Sequence, residues 1–256
     1  MNTYKLSQRQ LDFFEDNGYL VVEHIISPQE VTQYKAIYDD FLSGKIDVGG
    51  NRSDLGEDLG ESKTVENITQ IMWPSKFLPE LLEMVYHQRV LAVSKALMGD
   101  DMEMDFDMLI NKAPGTNTIT PWHQDEAYWM NMPDKRSVSC WLSLDHATEE
   151  NGCMWFVPGS NNGKVRSHRF ASKEGGALVC DASEEEGVAV PLLPGSCTFH
   201  HGRTLHYSRG NSSSHQRRAF IINLRPKAMI QLERKLGYDH GKESGSKRKL
   251  DNEEFK

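Results

Sequence analysis

The chain has 256 residues, with 29 Lys and Arg against 37 Asp and Glu, a formal charge of −8 and a pI near 5.7. That acidic balance argues against nucleic acid or an anionic membrane as a partner, because phosphate-rich surfaces are held by clustered Lys and Arg. With 38% hydrophobic residues, a mean hydropathy of −0.58 and no apolar run approaching the ~18 residues of a spanning helix, a helical membrane protein is excluded.

The first hundred residues read as mainly helical. Ser7 is placed to cap a helix over Gln8 to Asn17, which Gly18 stops. Tyr19 to Ile26 is β-rich and predicts a short strand. Ser27-Pro28 opens a second helix, with Val31, Tyr34, Ile37 and Phe41 at helical spacing. From Ser43 to Lys63 the composition turns to Gly, Asp, Asn and Ser, which predicts a long mobile loop and a candidate lid. Leu78 to Met98 carries a helical rhythm of apolar residues and ends at Gly99.

After Gly99 the texture changes to short β-prone runs punctuated by turn signals such as Asn151-Gly152 and Pro158-Gly159. Such punctuation predicts an all-β sandwich or barrel. The expected organisation is one domain over 1–236 and a charged, flexible tail over 237–256. Within that tail, Lys247-Arg248-Lys249 reads as a solvated terminus in preference to a nuclear signal. The N-terminus has no basic segment followed by an apolar stretch. Cys140, Cys153, Cys180 and Cys197 are widely spaced with no CxxC pair. Both features predict a cytoplasmic protein with reduced thiols.

Candidate chemistry begins at His123-Gln124-Asp125. Residues two apart on a strand share a face, so an imidazole and a carboxylate there can reach one ion. A second His would complete the two-imidazole, one-carboxylate face that leaves positions open on non-haem Fe(II). One His-x-Asp pair is expected by chance at this composition, so a third ligand has to decide. The segment CTFHHGRTLHYS offers His200, His201 and His206. Strand alternation allows only one of His200 and His201 to point inward, and spacing does not choose among the three. Zinc also stays open, since it accepts the same donors. Arg217 and Arg218 open the run RRAFIINL and face opposite ways in a strand. An inward guanidinium there would suit a dicarboxylate co-substrate, and two exposed strand-start arginines are the plainer alternative. Trp155 reads as core. Tyr128, Trp129 and Met130 fit a substrate pocket and an aromatic patch under the long loop equally well.

The wording and order of these blocks resemble the phytanoyl-CoA dioxygenase family of Fe(II)- and 2-oxoglutarate-dependent oxygenases. The likeness runs from QLDFFEDNGYLVVEHIISPQEV through MLINKAPG, TPWHQD, SCWLSLDHATEENGCMWFVPGS and PGSCTFHHGRTLHYSRGN to RRAF, about residues 7 to 226. It implies a mainly β protein with N-terminal helices, its core a double-stranded β-helix (a cupin-like jelly roll). By the same likeness, His123, Asp125 and His206 match the metal ligands and catalytic centre, and Arg217 the anchor of the far carboxylate of 2-oxoglutarate. Ser208, Trp141 and Met108 match further contacts to that co-substrate, and Arg218 falls outward. One departure is Asn161, where many members carry the His of PGSH. The carboxylate ligand is intact, unlike in related halogenases, which favours hydroxylation. Expected partners are therefore Fe(II), 2-oxoglutarate, O₂ and a small or medium-sized organic substrate. The competing readings are a zinc-dependent cupin-like hydrolase or isomerase, and a silent jelly-roll binding protein. Arg217 speaks against the first, which has no use for a remote carboxylate anchor.

Overall fold

The computed structural model describes residues 5–56, 65–172 and 175–243. Helix α1 (Gln8–Asn17) begins with a capping box, in which Ser7 Oγ accepts from the Gln10 amide while the Gln10 side chain accepts from the Ser7 amide. It ends at Gly18, whose φ of 75° lies in the left-handed region. A Cβ there would also run into Thr204 and Asn161, so glycine both turns the chain and lets α1 seat against the barrel. Strand β1 (Tyr19–Val22) follows and is shorter than its sequence suggests. His24, at φ 50°, turns the chain before the apolar run is complete. Helix α2 (Pro28–Leu42) repeats the device with Ser27 and Glu30, and buries Val31, Tyr34, Tyr38 and Phe41. Each such side chain contributes about 1.5–3 kcal/mol of hydrophobic stabilisation.

The expected loop over 43–63 is structured in its first part. A turn of 3₁₀ helix (Gly49–Asn51) leads into β2 (Arg52–Asp54), and Arg52 is tied to Glu66 at 2.9 Å and to the Leu42 carbonyl at 2.9 Å. Residues 57–63 of that stretch lie outside the described residues. Strand β3 (Ile68–Met72) bridges β2 to the main sheet and has no counterpart in the sequence reading. After α3 (Pro74–Phe77), the single helix expected over 78–98 is two pieces. Pro79 starts a 3₁₀ turn to Glu83, Met84 is extended, and α4 covers Val85–Met98.

The β half comprises β4 (Met102–Lys112), β5 (Thr120–His123), β6 (Val138–Ser143), β7 (Met154–Phe156) and the hairpin β8 (His168–Ser172) with β9 (Gly175–Cys180). It continues with β10 (Val188–Val190), β11 (Cys197–His201), β12 (His206–Ser208) and β13 (Arg217–Pro226), closed by helix α5 (Lys227–Lys235). Seven strands form a large antiparallel sheet in the order β1-β11-β6-β13-β4-β3-β2, and β10-β7-β12-β5 form a smaller one. The result is the jelly roll expected from the sequence, with helices packed on one face.

Strand alternation sorts the large sheet into two faces. Cys140, Leu142, Cys197, Phe199, Phe220, Ile222 and Leu224 join α2 and α4 in one apolar core. Their neighbours Trp141, Ala219 and Ile221 join Trp155, Phe156 and Tyr207 in a second core between the sheets. The odd-numbered residues of β13 from Arg217, and Thr198 and His200 of β11, therefore face the lumen. The chain beyond 236 is not a free tail at its start. The Trp73 indole donates to the Asp239 carbonyl at 3.0 Å, and the His240 ring stacks on Phe106 at 4.2 Å. Residues 244–256, with Lys247-Arg248-Lys249, lie outside the described residues. No helix among the described residues is long and apolar enough to cross a membrane.

Candidate active site

His123 ends β5, and His206 begins β12 directly opposite it in the antiparallel register. That pairing brings the two imidazole rings to 4.1 Å between centroids, with both side chains buried. Asp125 does not sit on the strand, as the spacing argument assumes. It opens a 3₁₀ turn (Asp125–Tyr128), which swings its carboxylate back toward the two rings. Asp125 Oδ1 lies 3.7 Å from His123 Nε2 and 3.6 Å from His206 Nε2, and the three groups offer ligand atoms all within 4.8 Å of one another.

The tautomers follow from the backbone. His123 Nδ1 faces the Pro121 carbonyl at 2.7 Å, and His206 Nδ1 faces the Thr204 carbonyl at 2.9 Å. A carbonyl can only accept, so each Nδ1 carries the proton and each Nε2 presents a lone pair to the shared space. Burial lowers the pKa of both imidazoles, and mutual repulsion lowers that of His206 further, which keeps them neutral. Burial alone would raise Asp125, but His206, His200 and His123 outweigh it and hold the carboxylate well below its ordinary range. Two neutral nitrogen donors and one carboxylate are a donor set suited to a divalent transition metal.

His201 and His200 resolve as alternation requires. His201 is half-buried, and its Nδ1 accepts from the Arg203 amide at 2.9 Å in the turn before His206. His200 points into the lumen, 4.5 Å from the His206 ring and 3.5 Å from Asp125 Oδ2.

Arg217 and Arg218 separate just as sharply. Arg218 is bound outside by Asp145 at 2.8 Å and Asp39 at 2.6 Å. Arg217 is 1% exposed, lies 5.3 Å above the Trp141 ring, and has no hydrogen-bond partner for Nε or Nη1 among the described residues. Burial pushes its pKa down to about 10, and no carboxylate among the described residues pairs with it. A buried guanidinium without a partner costs several kcal/mol, which an anionic ligand would offset. Thr198 Oγ1, on the same face, also has no partner among the described residues.

Ser208 is buried at the end of β12, and Met108 lies along β4, where the Gln70 amide approaches its sulfur at 3.4 Å. Sequence reasoning did not single out Lys112, Ser139 or Asn223. Lys112 is buried opposite Arg217 and donates to the carbonyls of Ser208 and Arg209, at 3.3 and 2.6 Å. A lysine inside a β-prone run was the available signal. Tyr128 sets its ring edge-on to His123 at 5.7 Å and accepts from the Leu178 amide at 2.7 Å. Tyr128 is thus tied to β9, while the Trp129 ring lies 5.3 Å from the Arg225 guanidinium. Trp155 packs in the core with the Arg209 guanidinium 4.7 Å over its ring. Asn161 bonds the Glu15 carbonyl at 3.0 Å, on the α1 side.

Known proteins share this architecture. A probable phytanoyl-CoA dioxygenase of Caenorhabditis elegans is 27% identical over 84% of this chain and 73% of its own length. A probable alpha-ketoglutarate-dependent hypophosphite dioxygenase of Stutzerimonas stutzeri is 26% identical over 81% and 74%. The crystal structure of EvdO2 from Micromonospora carbonacea var. aurantiaca, complexed with 2-oxoglutarate, superposes with a TM-score of 0.73 at 27% identity, covering 87% of this chain and 91% of that one. These likenesses define the class: a 2-oxoglutarate-dependent non-haem iron dioxygenase. The family model described as phytanoyl-CoA dioxygenase (PhyH) matches residues 14–219, and the chain belongs to that family.

Proposed function

We propose that this oxygenase hydroxylates a C–H bond of a small or medium-sized organic molecule, consuming O₂ and 2-oxoglutarate and releasing succinate and CO₂. In this reading Nε2 of His123 and His206 and Oδ1 of Asp125 hold the iron, which when bound supplies activation of O₂. The single observation that carries the reading is Arg217: a buried guanidinium with two unpartnered nitrogens, in the same lumen as a two-imidazole, one-carboxylate cluster. A zinc hydrolase has no use for that second feature, whereas a dicarboxylate held at both ends needs it.

The protein's own work is placement. Arg217 grips the far carboxylate of 2-oxoglutarate, Ser208 assists it, and Trp141 and Met108 form walls that keep water from the guanidinium. The Pro121 and Thr204 carbonyls keep both Nδ1 atoms protonated and so keep both Nε2 atoms available. Tyr128, edge-on to His123 and bound to β9, aligns the roof over the substrate side. The intact carboxylate at position 125 favours hydroxylation over halide transfer. The four cysteines are free and buried, in keeping with a reducing compartment, which we take to be the cytoplasm. The test is succinate release from 2-oxoglutarate with Fe(II) across a metabolite panel. One compound should stimulate it and emerge heavier by one oxygen atom; absence of any iron-dependent succinate would contradict the reading.

A further inference from the structure

We propose that His200 is a positioning residue that, together with Ser139, holds Oδ2 of Asp125, so that the carboxylate presents Oδ1 alone to the ligand nitrogens of His123 and His206. This rests on the reading of Asp125 as a ligand and assigns a task to three side chains that the reading leaves idle.

The two oxygens of Asp125 have different surroundings. Oδ1 faces His123 Nε2 and His206 Nε2 at 3.7 and 3.6 Å. Oδ2 faces Ser139 Oγ at 2.8 Å and His200 Nε2 at 3.5 Å, the latter at the outer limit of hydrogen-bonding range. His200 therefore brings a third imidazole nitrogen to the same carboxylate, on its other side.

What separates it from the other two is its tautomer. His123 and His206 each have Nδ1 committed to a backbone carbonyl, whereas His200 Nδ1 has no partner among the described residues. Beside a carboxylate oxygen, which can only accept, the ring keeps a proton on Nε2. His200 thus presents an N–H where the other two present a lone pair, which makes it a donor to the carboxylate and not a ligand.

Ser139 belongs to a similar relay. Its hydroxyl lies 2.8 Å from Asp125 Oδ2 and 2.6 Å from Asn223 Oδ1, yet it has one proton, and Asn223 Nδ2 has no partner among the described residues. Turning the Asn223 amide over resolves both: Nδ2 donates to Ser139 Oγ, and Ser139 donates to Asp125. The three residues form one rung of the large sheet, His200 opposite Ser139 and Ser139 opposite Asn223 in register. All three are almost fully buried, so water does not take their place. Oriented partners of this kind are typically worth 10–100-fold in metal affinity.

The experiment is anaerobic titration of the full chain with Co(II), followed by its visible absorption, for wild type, His200→Phe, His200→Gln, Ser139→Ala and Asp125→Ala. His200→Phe keeps the ring and removes the donor; it should weaken Co(II) binding roughly tenfold and change the band shape, with the metal-free melting temperature unchanged. His200→Gln, which retains an N–H donor, should recover most of the affinity, and Ser139→Ala should lose about as much as His200→Phe. Wild-type affinity and spectrum in His200→Phe would overturn the role of His200 alone. Loss as complete as in Asp125→Ala would overturn it too, by making His200 a ligand. Failure of wild type itself to bind Co(II) would overturn the ligand reading beneath it.

Discussion

Two buried clusters in this molecule have the same composition in kind, imidazole and carboxylate at metal-ligand spacing, and opposite characters. Around the open lumen site stand His123, Asp125 and His206; toward the other end of β4 and β13 stand Asp105, Glu233 and His240. Around the second, cations are already built in. Arg225 reaches Asp105 at 2.7 Å and also bonds Glu233, while Arg234 bonds Asp105 and lies 3.0 Å from Glu233. His240 Nε2 adds contacts to Glu233 at 2.9 Å and Asp105 at 3.2 Å. Two carboxylates meet two guanidiniums, and among the described residues Glu233 Oε1 is the one oxygen of the pair left without a hydrogen-bond partner. That cluster is closed. It fastens α5 and the following turn to β4 and β13, and a divalent ion there would add uncompensated charge. Around His123, Asp125 and His206, by contrast, the nitrogens present lone pairs, and the nearby Arg217 guanidinium has no carboxylate partner among the described residues. The comparison teaches that spacing alone does not make a metal site; the balance of charge around it does.

The contrast can be broken at either end. The largest effect is expected at Arg217. Arg217→Met should raise the 2-oxoglutarate requirement roughly a hundredfold, as loss of a charge-assisted pair would. Because it also removes an unpartnered buried charge, the metal-free variant should melt no lower than wild type, and 2-oxoglutarate should no longer raise its melting temperature. A variant that melts lower and keeps its 2-oxoglutarate dependence would place Arg217 with the closed cluster instead.

Next comes Glu233→Ala. It strands two guanidiniums that are bonded to it, and should cost about 3–5 kcal/mol in denaturant unfolding while leaving metal affinity unchanged. A metal-binding defect without lost stability would reverse the roles of the two clusters.

The smallest effect is expected at His240. Burial alone would lower its pKa, but hydrogen bonds and charge from Asp105 and Glu233 prevail and raise it. A raised folded-state value contributes stability that is complete below the ordinary value of about 6.5 and is lost as pH climbs through the folded one. Wild type should therefore exceed His240→Gln in stability most at mildly acidic pH, and the gap should narrow as the solution becomes alkaline. A gap that widens with pH would show that the ring is buried neutral.

How much of this was legible depends on how local each signal is. The helix starts at Ser7 and Ser27 were readable because an N-cap serine and a proline in the first turn are local signals. The opposite fates of Arg217 and Arg218 follow from strand alternation, which needs only the correct phase. His206 was fixed by family likeness and not by spacing, because its pairing with His123 joins strands more than 80 residues apart. The closed cluster was invisible for the same reason: Asp105, Glu233 and His240 share no motif. The charged C-terminal stretch looked like a solvated tail, and hydropathy cannot distinguish a charge in water from one buried against its partner. Strand β3 escaped notice because its five residues gain their stability from β2 and β4 on either side. His200 was seen as a candidate, but only the rung it shares with Ser139 and Asn223 reveals what it faces.

The most direct test of the central claim is the stoichiometry of Fe(II) bound anaerobically by wild type, Asp125→Ala and Glu233→Ala, measured by equilibrium dialysis with metal analysis. One ion per chain in wild type and in Glu233→Ala, and essentially none in Asp125→Ala, is the predicted result. An Asp125→Ala protein that binds its ion as tightly as wild type would contradict it.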